Sequence, residues 1–176
     1  MPKIIENARE LLINEAKRQI KQDGYDSVTI RGIARGCGLG IGTFYNYFKS
    51  KDMLIASFLL ADWQDRMQRV NALAEEEKDP MNIVRSVYSE LTEFVDSHTN
   101  IFKSNEAKKS FVHSVGSYHK FLVLQLAEPI YKVCLANGYE NAQFLSRFVA
   151  EAMLTWGTAE TGFDTLEPII NKLFIK

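Results

Sequence analysis

The cationic side chains of this sequence are concentrated at its N-terminal end. Residues 1–51 contain nine of the 21 Lys and Arg and five of the 22 Asp and Glu, which is a net charge of +4. Residues 52–176 contain the other 12 basic and 17 acidic side chains, a net charge of −5, so the total is −1. Ammonium and guanidinium groups gathered on one module attract phosphate, and this distribution therefore favours a polyanionic partner that meets only the N-terminal module.

Short helices joined by a glycine-containing turn are predicted within this basic segment. The spacing of apolar residues predicts a first helix over residues 3–22. A second helix is expected over residues 30–36 with Thr29 as its N-cap, and a third over residues 41–47 after the turn. Two brief helices connected in this way form a helix-turn-helix unit.

The rest of the chain is also predicted to be helical, because it contains no strand pattern. Asp79-Pro80 is a strong helix start, in which a cap residue precedes a proline at the first helical position. Pro129 is expected to bend a long helix, because proline removes a backbone donor. Helices are predicted over residues 51–74, from 80 onward, over 105–136 and 140–160, and from a capping-box-like start at Asp164, with a turn or short helix at 98–104. The fold class is therefore all-α.

Several classes of protein are disfavoured by the sequence. No apolar stretch is long enough to span a bilayer and no signal peptide is recognisable, so we expect a cytoplasmic protein with no membrane partner. Cys37 and Cys134 are isolated in the sequence, which is typical of reduced thiols. His98, His113 and His119 lack metal-ligand spacing, so no metal is expected. No nucleophile elbow, phosphate loop or carboxylate pair is present, so neither an enzyme nor a cofactor is expected.

The segment over residues 24–51, GYDSVTIRGIARGCGLGIGTFYNYFKSK, resembles the DNA-binding signature of the TetR family of bacterial transcriptional regulators. The shared features are Gly-Tyr, a Thr that opens the second helix, Ile-Ala, a Gly in the turn, Gly-Thr-aromatic-Tyr and Phe-x-x-Lys. The resemblance covers about residues 5–58. It implies a DNA-binding domain over residues 1–50 and a helical ligand-binding and dimerisation domain over residues 51–176.

The resemblance assigns roles to particular residues of the helix-turn-helix. Ile41, Gly42 and Thr43 match the exposed tip of the recognition helix that enters the major groove. Hydroxyl and ammonium groups at the other matched positions would hold phosphates without reading sequence. Those positions are Tyr45, Tyr47 and Lys51, with Thr29 as a further contact and Arg31 as a contact to a base or a phosphate.

Three departures from the family pattern affect DNA recognition. Gly40 replaces the usual Ser at the N-cap of the recognition helix, which removes a side-chain cap. Tyr47 stands where His is common. Ile41 and Gly42 offer almost no hydrogen-bonding capacity. Recognition is therefore expected to depend on thymine methyl contacts, on Thr43 and Arg31, and on DNA shape.

A helix near the C-terminus is predicted to form a dimer interface. Phe144, Phe148, Ala152 and Trp156 make one apolar stripe, and a second stripe runs beside it, so the helix must be covered on two sides. We expect the last two helices of two subunits to form a four-helix bundle. The residues assigned to the interface are Leu145, Phe148, Val149, Ala152, Met153, Ile170 and Phe174.

An effector pocket is predicted in the C-terminal domain, where aromatic side chains are abundant and polar groups interleave with them. Its candidate residues are Tyr88, Phe111, Tyr118, His119, Phe121, Tyr131 and Trp156. Each of these aromatic residues could instead be an ordinary core residue.

Other interpretations of the motif remain open from the sequence. Phe44 and Phe48 are expected to be core anchors, and Tyr45 could be core rather than a phosphate contact. Lys51 could be an ordinary surface lysine. The family implies repression of a palindromic operator by a homodimer that a small-molecule effector releases from double-stranded DNA. Activation is an alternative, as is a DNA-bound division or nucleoid factor that has no small ligand.

Overall fold

A computed structural model of the chain describes residues 7–112, 115–157 and 162–175, with the side chains of residues 110–118 and 157 outside the description. All regular elements within these ranges are helical, which confirms the all-α fold class. The helices in chain order are α1 (Ala8–Asp23), α2 (Ile30–Gly36), α3 (Ile41–Tyr47), α4 (Lys51–Glu76), α5 (Pro80–Ser97), α6 (Thr99–Phe102), α7 (Asn105–Val112), α8 (Val115–Ala136), α9 (Ala142–Ala152) and α10 (Phe163–Leu173).

The helices fall into two compact units. The first unit contains residues 1–62 and 98–113, and the second contains residues 63–97 and 114–176. This division by packing differs from the functional division into residues 1–50 and 51–176, which stays a prediction. In the first unit, α6 and α7 accompany the helix-turn-helix although they lie far from it in the sequence.

The first unit is built on the apolar face of α1. Ala8, Leu12, Ala16 and Ile20 are buried, as their spacing predicts, and the side chains of α2, α3 and the start of α4 pack around them. The helix ends at Gly24, where φ is +79° and the backbone N–H donates a hydrogen bond to the Ile20 carbonyl. A positive φ favours glycine, so this residue allows the chain to turn towards α2. The predicted start at Lys3 lies outside the described residues.

The second unit contains α5, α8, α9 and α10. Asp79 caps α5, since its carboxylate accepts the Met81 N–H at 2.9 Å, as the Asp79-Pro80 pair predicts. The buried face of α5 is also confirmed, with Ile83, Val84, Val87, Leu91 and Phe94 in the core. The Arg85 guanidinium donates to Glu167 at 2.6 Å and so links α5 to α10.

One of the predicted starts of the later helices is wrong. The helical stretch predicted over 105–136 contains α7 and α8, with Pro129 inside α8, and residues 113–114 between them lie outside the described residues. The helix predicted over 140–160 is α9, which continues as a π-helical turn over Met153–Gly157, and its predicted end lies outside the described residues. The last helix starts at Phe163, with Gly162 at a φ of +68° before it, so Asp164 lies in the first turn rather than at the cap.

None of the helices within the described ranges is long and apolar enough to cross a membrane.

Replacing Phe44 is expected to destabilise the first unit strongly, because its ring is fully buried in the core. We expect Phe44→Ala to lower the free energy of unfolding by about 3–5 kcal/mol, measured by urea denaturation. Asn46→Ala on the exposed side of the same helix is the control and should change it by no more than about 0.5 kcal/mol. Equal losses in the two variants would show that α3 is oriented differently.

Candidate nucleic-acid interface

The two short helices of the N-terminal unit are held by local hydrogen bonds and by glycine. Thr29 caps α2 as predicted, because its Oγ1 accepts the Gly32 N–H at 3.0 Å. Gly38 in the following turn has a φ of +66°, which favours glycine at that position. Gly40 precedes α3 without a side-chain cap, and only its backbone carbonyl accepts a hydrogen bond from the first turn, from the Thr43 N–H at 2.9 Å.

A second glycine lies where α2 meets a side chain of α1. A Cβ at Gly36 would overlap the carboxylate of Glu15, so a larger residue there would displace the Glu15 side chain from its present position. Hydrogen bonds from Arg18 and Gln19 lower the pKa of Glu15 to about 2, so the carboxylate is ionised at neutral pH. The side chain of Glu15 is therefore held in place against the end of α2.

One side of α3 is anchored in the core and the opposite side is exposed. Phe44 and Phe48 are buried, whereas Ile41 and Tyr47 are exposed and Tyr45 has 53% of its surface accessible. Thr29, Arg31 and Gly42 are also exposed, and Thr43 is half-buried. The structure therefore brings seven of the eight predicted DNA-contacting residues to an accessible position, and Tyr45 is not a core residue.

Gly42 has no structural reason to be glycine. A Cβ at this position would meet no heavy atom within 4 Å, and its φ is not among the positive values. Glycine also lowers the stability of a helix relative to alanine. A requirement for glycine at this position must therefore come from something that approaches α3 from outside.

Lys51, the eighth predicted residue, is held inside the unit. Only 15% of its side chain is exposed. The ammonium group lies 4.1 Å from the centre of the Tyr25 ring, 3.3 Å from the Tyr25 carbonyl oxygen and 3.7 Å from Oε1 of Glu106. The interpretation of Lys51 as an ordinary surface lysine is therefore wrong.

Sequence reasoning missed the contribution of α6 and α7 to this unit. Asn100 donates its amide to the Ile20 carbonyl at 3.3 Å, and the Ser104 hydroxyl donates to Asp26. Ile101 and Ala107 belong to the same buried cluster as the core of the helix-turn-helix. Only the apolar character of Ile101 and Ala107 hinted at this packing, since the partners are about 80 residues apart.

Most of the predicted dimer residues are buried within their own subunit. The side chains of Val149, Ala152 and Met153, on α9 and the turn after it, are buried. Ile170 on α10 and Phe174 at its C-cap are buried as well. They are therefore not available to a partner, because the chain itself covers one of the two apolar stripes. Leu145 is half-buried, and Phe148 alone of the predicted set is exposed.

The exposed apolar stripe lies where α8 and α9 pack together. Phe144 and Phe148 are 69% and 46% exposed, and their rings are stacked with centres 6.1 Å apart. Phe121 and Leu124 on α8 are also exposed. An open groove of about 580 Å³ follows this surface, and its lining includes Phe144, Phe148, Leu124 and His119.

The described residues of the predicted effector pocket have different surroundings in the second unit. Tyr88 stacks on the Phe163 ring with the centres 4.3 Å apart. His119 lies 2.9 Å from Glu151 on the exposed surface, and Phe121 and Trp156 are exposed as well. Tyr131 is half-buried, and the side chains of Phe111 and Tyr118 lie outside the described residues.

One polar group that the sequence did not single out lies in the core of the second unit. Trp63 on α4 is buried, and its ring packs edge-on against Phe94 with the centres 5.2 Å apart. Its indole Nε1 has no hydrogen-bond partner among the described residues. A buried donor without a partner is costly in a folded protein, so this atom is a candidate contact for a ligand or a water molecule.

The cysteines and histidines form no reactive site in the described part of the chain. Burial, together with the nearby Glu15 carboxylate, raises the pKa of the Cys37 thiol, so it is protonated at neutral pH and a poor nucleophile. Burial raises the pKa of Cys134 to about 11. His98 pairs with Asp62 at 2.9 Å, and no group of three potential metal ligands occurs among the described side chains, while His113 lies outside them.

Comparison with known proteins identifies relatives of the N-terminal unit. Residues 4–58 match the model of the bacterial regulatory proteins of the tetR family. YuxN of Bacillus subtilis, a helix-turn-helix-type transcriptional regulator, is 29% identical over 89 residues, which are 51% of this chain and 31% of that protein. UidR of Escherichia coli, another such regulator, is 30% identical over 61 residues, which are 35% of this chain and 31% of that protein. The matches thus span about a third of the length of each curated relative.

The fold of the whole chain is shared with a solved structure. The crystal structure of a transcriptional regulator from Cytophaga hutchinsonii is similar to it with a TM-score of 0.66. The similarity covers 95% of this chain and 94% of that chain at 17% sequence identity. At this identity the similarity concerns the fold alone.

Proposed function

We propose that this chain is a cytoplasmic repressor of the TetR family of bacterial transcriptional regulators and that it binds a palindromic DNA operator as a homodimer. The observation that carries the proposal is the orientation of α3, with Phe44 and Phe48 buried and the opposite side exposed. A helix held in this way can enter the major groove of DNA.

Two kinds of DNA contact are proposed for this surface. Ile41, Gly42 and Thr43 face the base edges, where the methyl groups of Ile41 can pack against a thymine methyl. Exposed hydroxyl and cationic groups around them bind phosphates and fix the register of the protein on the duplex. The exposed groups belong to Thr29, Arg31, Tyr45 and Tyr47, and the largely buried Lys51 is proposed to add its ammonium group to them.

The dimer interface is proposed on the exposed stripe of α8 and α9. Phe121, Leu124, Phe144 and Phe148 give this surface an apolar character that is unusual for an isolated subunit. A second copy placed around a two-fold axis would cover it and form a four-helix bundle. Such a dimer would present two recognition helices to half-sites about one turn of DNA apart, or about 34–36 Å.

We also propose that a small-molecule effector binds the second unit and releases the DNA. The buried indole N–H of Trp63 supports this part of the proposal, because a ligand with an acceptor group could satisfy it. A DNA-bound factor without a ligand is the second candidate, since His119 alone of the predicted pocket residues with described side chains lines the groove on α8 and α9. Effector-induced loss of operator binding would distinguish the two.

The role of α3 can be tested at Gly42. We expect Gly42→Ala to keep or raise the stability of the fold, by up to about 1 kcal/mol, because the site is open and alanine favours helix. Its affinity for an operator selected from a random duplex library should fall about tenfold if the helix end approaches the bases closely.

The matched control for this test is Gly40→Ser. It adds a side chain at the neighbouring open position and supplies an N-cap, so operator affinity should be retained. Wild-type affinity of Gly42→Ala in the same fluorescence-anisotropy titration would mean that the end of α3 does not meet the bases.

The dimer surface can be tested with charged substitutions on α9. We expect the double variant Phe144→Glu and Phe148→Glu to sediment as a folded monomer, because both side chains are exposed in the subunit and charge opposes burial against a partner. Operator affinity should fall by at least about a hundredfold, since each monomer meets only one half-site.

The control for the dimer test is Ile169→Glu on α10, whose side chain is 55% exposed and apolar as well. This variant should remain a dimer. If the double variant of α9 sediments as a dimer, the interface lies elsewhere on the chain.

A further inference from the structure

Lys51 lies between two kinds of partner. The Tyr25 ring and carbonyl come from the helix-turn-helix, a part of the chain that is close to Lys51 in sequence. Glu106 comes from α7, which follows 55 positions later. The Tyr25 side chain is itself fixed, because its hydroxyl donates to Asp52. The position of the ammonium group therefore depends on both the helix-turn-helix and α7.

The contact with Glu106 is the weaker and more exposed of these interactions. The carboxylate of Glu106 is 56% exposed and lies 3.7 Å from the ammonium group. An ion pair in such a solvated position contributes little free energy. The long, flexible stem of lysine can turn the ammonium group to a new anion without unpacking the core.

Other contacts determine where Glu106 is held. Ser104, two residues before Glu106, donates its hydroxyl to Asp26 and accepts the Ala107 N–H at 3.0 Å. The Ala107 side chain is buried in the core cluster of the first unit. Glu106 is thus placed beside Lys51 by the packing of α7, and any shift of α7 within this unit would change the distance between the two charges.

We propose that the Glu106 carboxylate is an internal competitor of DNA phosphate for Lys51. In the free protein the carboxylate neutralises part of the lysine charge, and DNA binding requires the ammonium group to exchange this carboxylate for a phosphate. The position of α7 then regulates affinity for all duplexes alike, because a phosphate contact reads no sequence. This inference rests on the proposed function, since it assigns Lys51 to the DNA surface.

The test is a double-mutant cycle on Lys51 and Glu106, measured with the full chain on a selected operator and on a random duplex at several salt concentrations. We expect Glu106→Gln to tighten binding to both duplexes by about two- to fivefold for each subunit. Lys51→Met keeps the apolar stem and removes the charge. It should weaken binding to both duplexes and reduce the slope of log affinity against log salt by about 0.9 for each subunit.

The decisive result is the behaviour of the double variant. If Glu106 acts through Lys51, Glu106→Gln should have no effect on affinity in the Lys51→Met background. Glu10→Gln, which removes an exposed carboxylate from α1 of the same unit, is the charge-matched control and should change affinity less than Glu106→Gln. Equal gains with and without Lys51, or equal gains in Glu106→Gln and Glu10→Gln, would overturn the proposal.

The outcomes also separate this inference from the proposed function. In one outcome the wild type binds an operator specifically while Lys51→Met has the same affinity and the same salt slope. That result would overturn the role of Lys51 and Glu106 and would leave the proposed function as a DNA-binding regulator in place. A wild type that selects no duplex would overturn both proposals. Urea denaturation checks that each variant is folded. If Lys51→Met does not fold, Lys51→Gln replaces it in the cycle, because its amide can still donate to the Tyr25 carbonyl.

Discussion

Phe44 on α3 and Phe48 at the C-cap of this helix are buried in the core of the first unit, and their burial orients the whole helix. With both rings removed from water, Gly42, Tyr45 and Asn46 lie on other faces of α3 and stay exposed, and Ile41 is exposed at the first position of the helix. The exposure of Gly42 and the accessible hydroxyl of Tyr45 follow from the same packing. The proposed DNA surface thus depends on two side chains buried beneath it, and its shape depends on how closely they are packed.

The apolar residues of α9 in the second unit fall into a buried set and an exposed set. Val149 and Met153 on α9 complete the core of the subunit, whereas Phe144 and Phe148 remain on the surface beside α8. A helix with a wide apolar surface must be covered on more than one side. One cover comes from the same chain, and the other is proposed to be a second subunit.

The contacts of α6 and α7 connect the helix-turn-helix to a distant part of the sequence. Asn100 and Ser104 make hydrogen bonds to it, and Glu106 reaches the lysine at the start of α4. Because Asn100 and Glu106 are exposed, their polar contacts contribute less to stability than the buried Ile101 does. Their consequence is geometric, since they determine which anion lies closest to Lys51 in the free protein.

The sequence by itself determined the helical class, the N-cap Thr29 and the cap at Asp79, because these features depend on residues within one turn of each other. It also determined the motif over residues 24–51, in which Gly38 has the positive φ that the turn requires. Tertiary structure alone decided that Val149 is core, that Phe148 is surface and that Lys51 pairs with Glu106. Periodicity shows that a helix has an apolar face but does not identify what covers it, and an ion pair between distant residues exists only after the chain has folded.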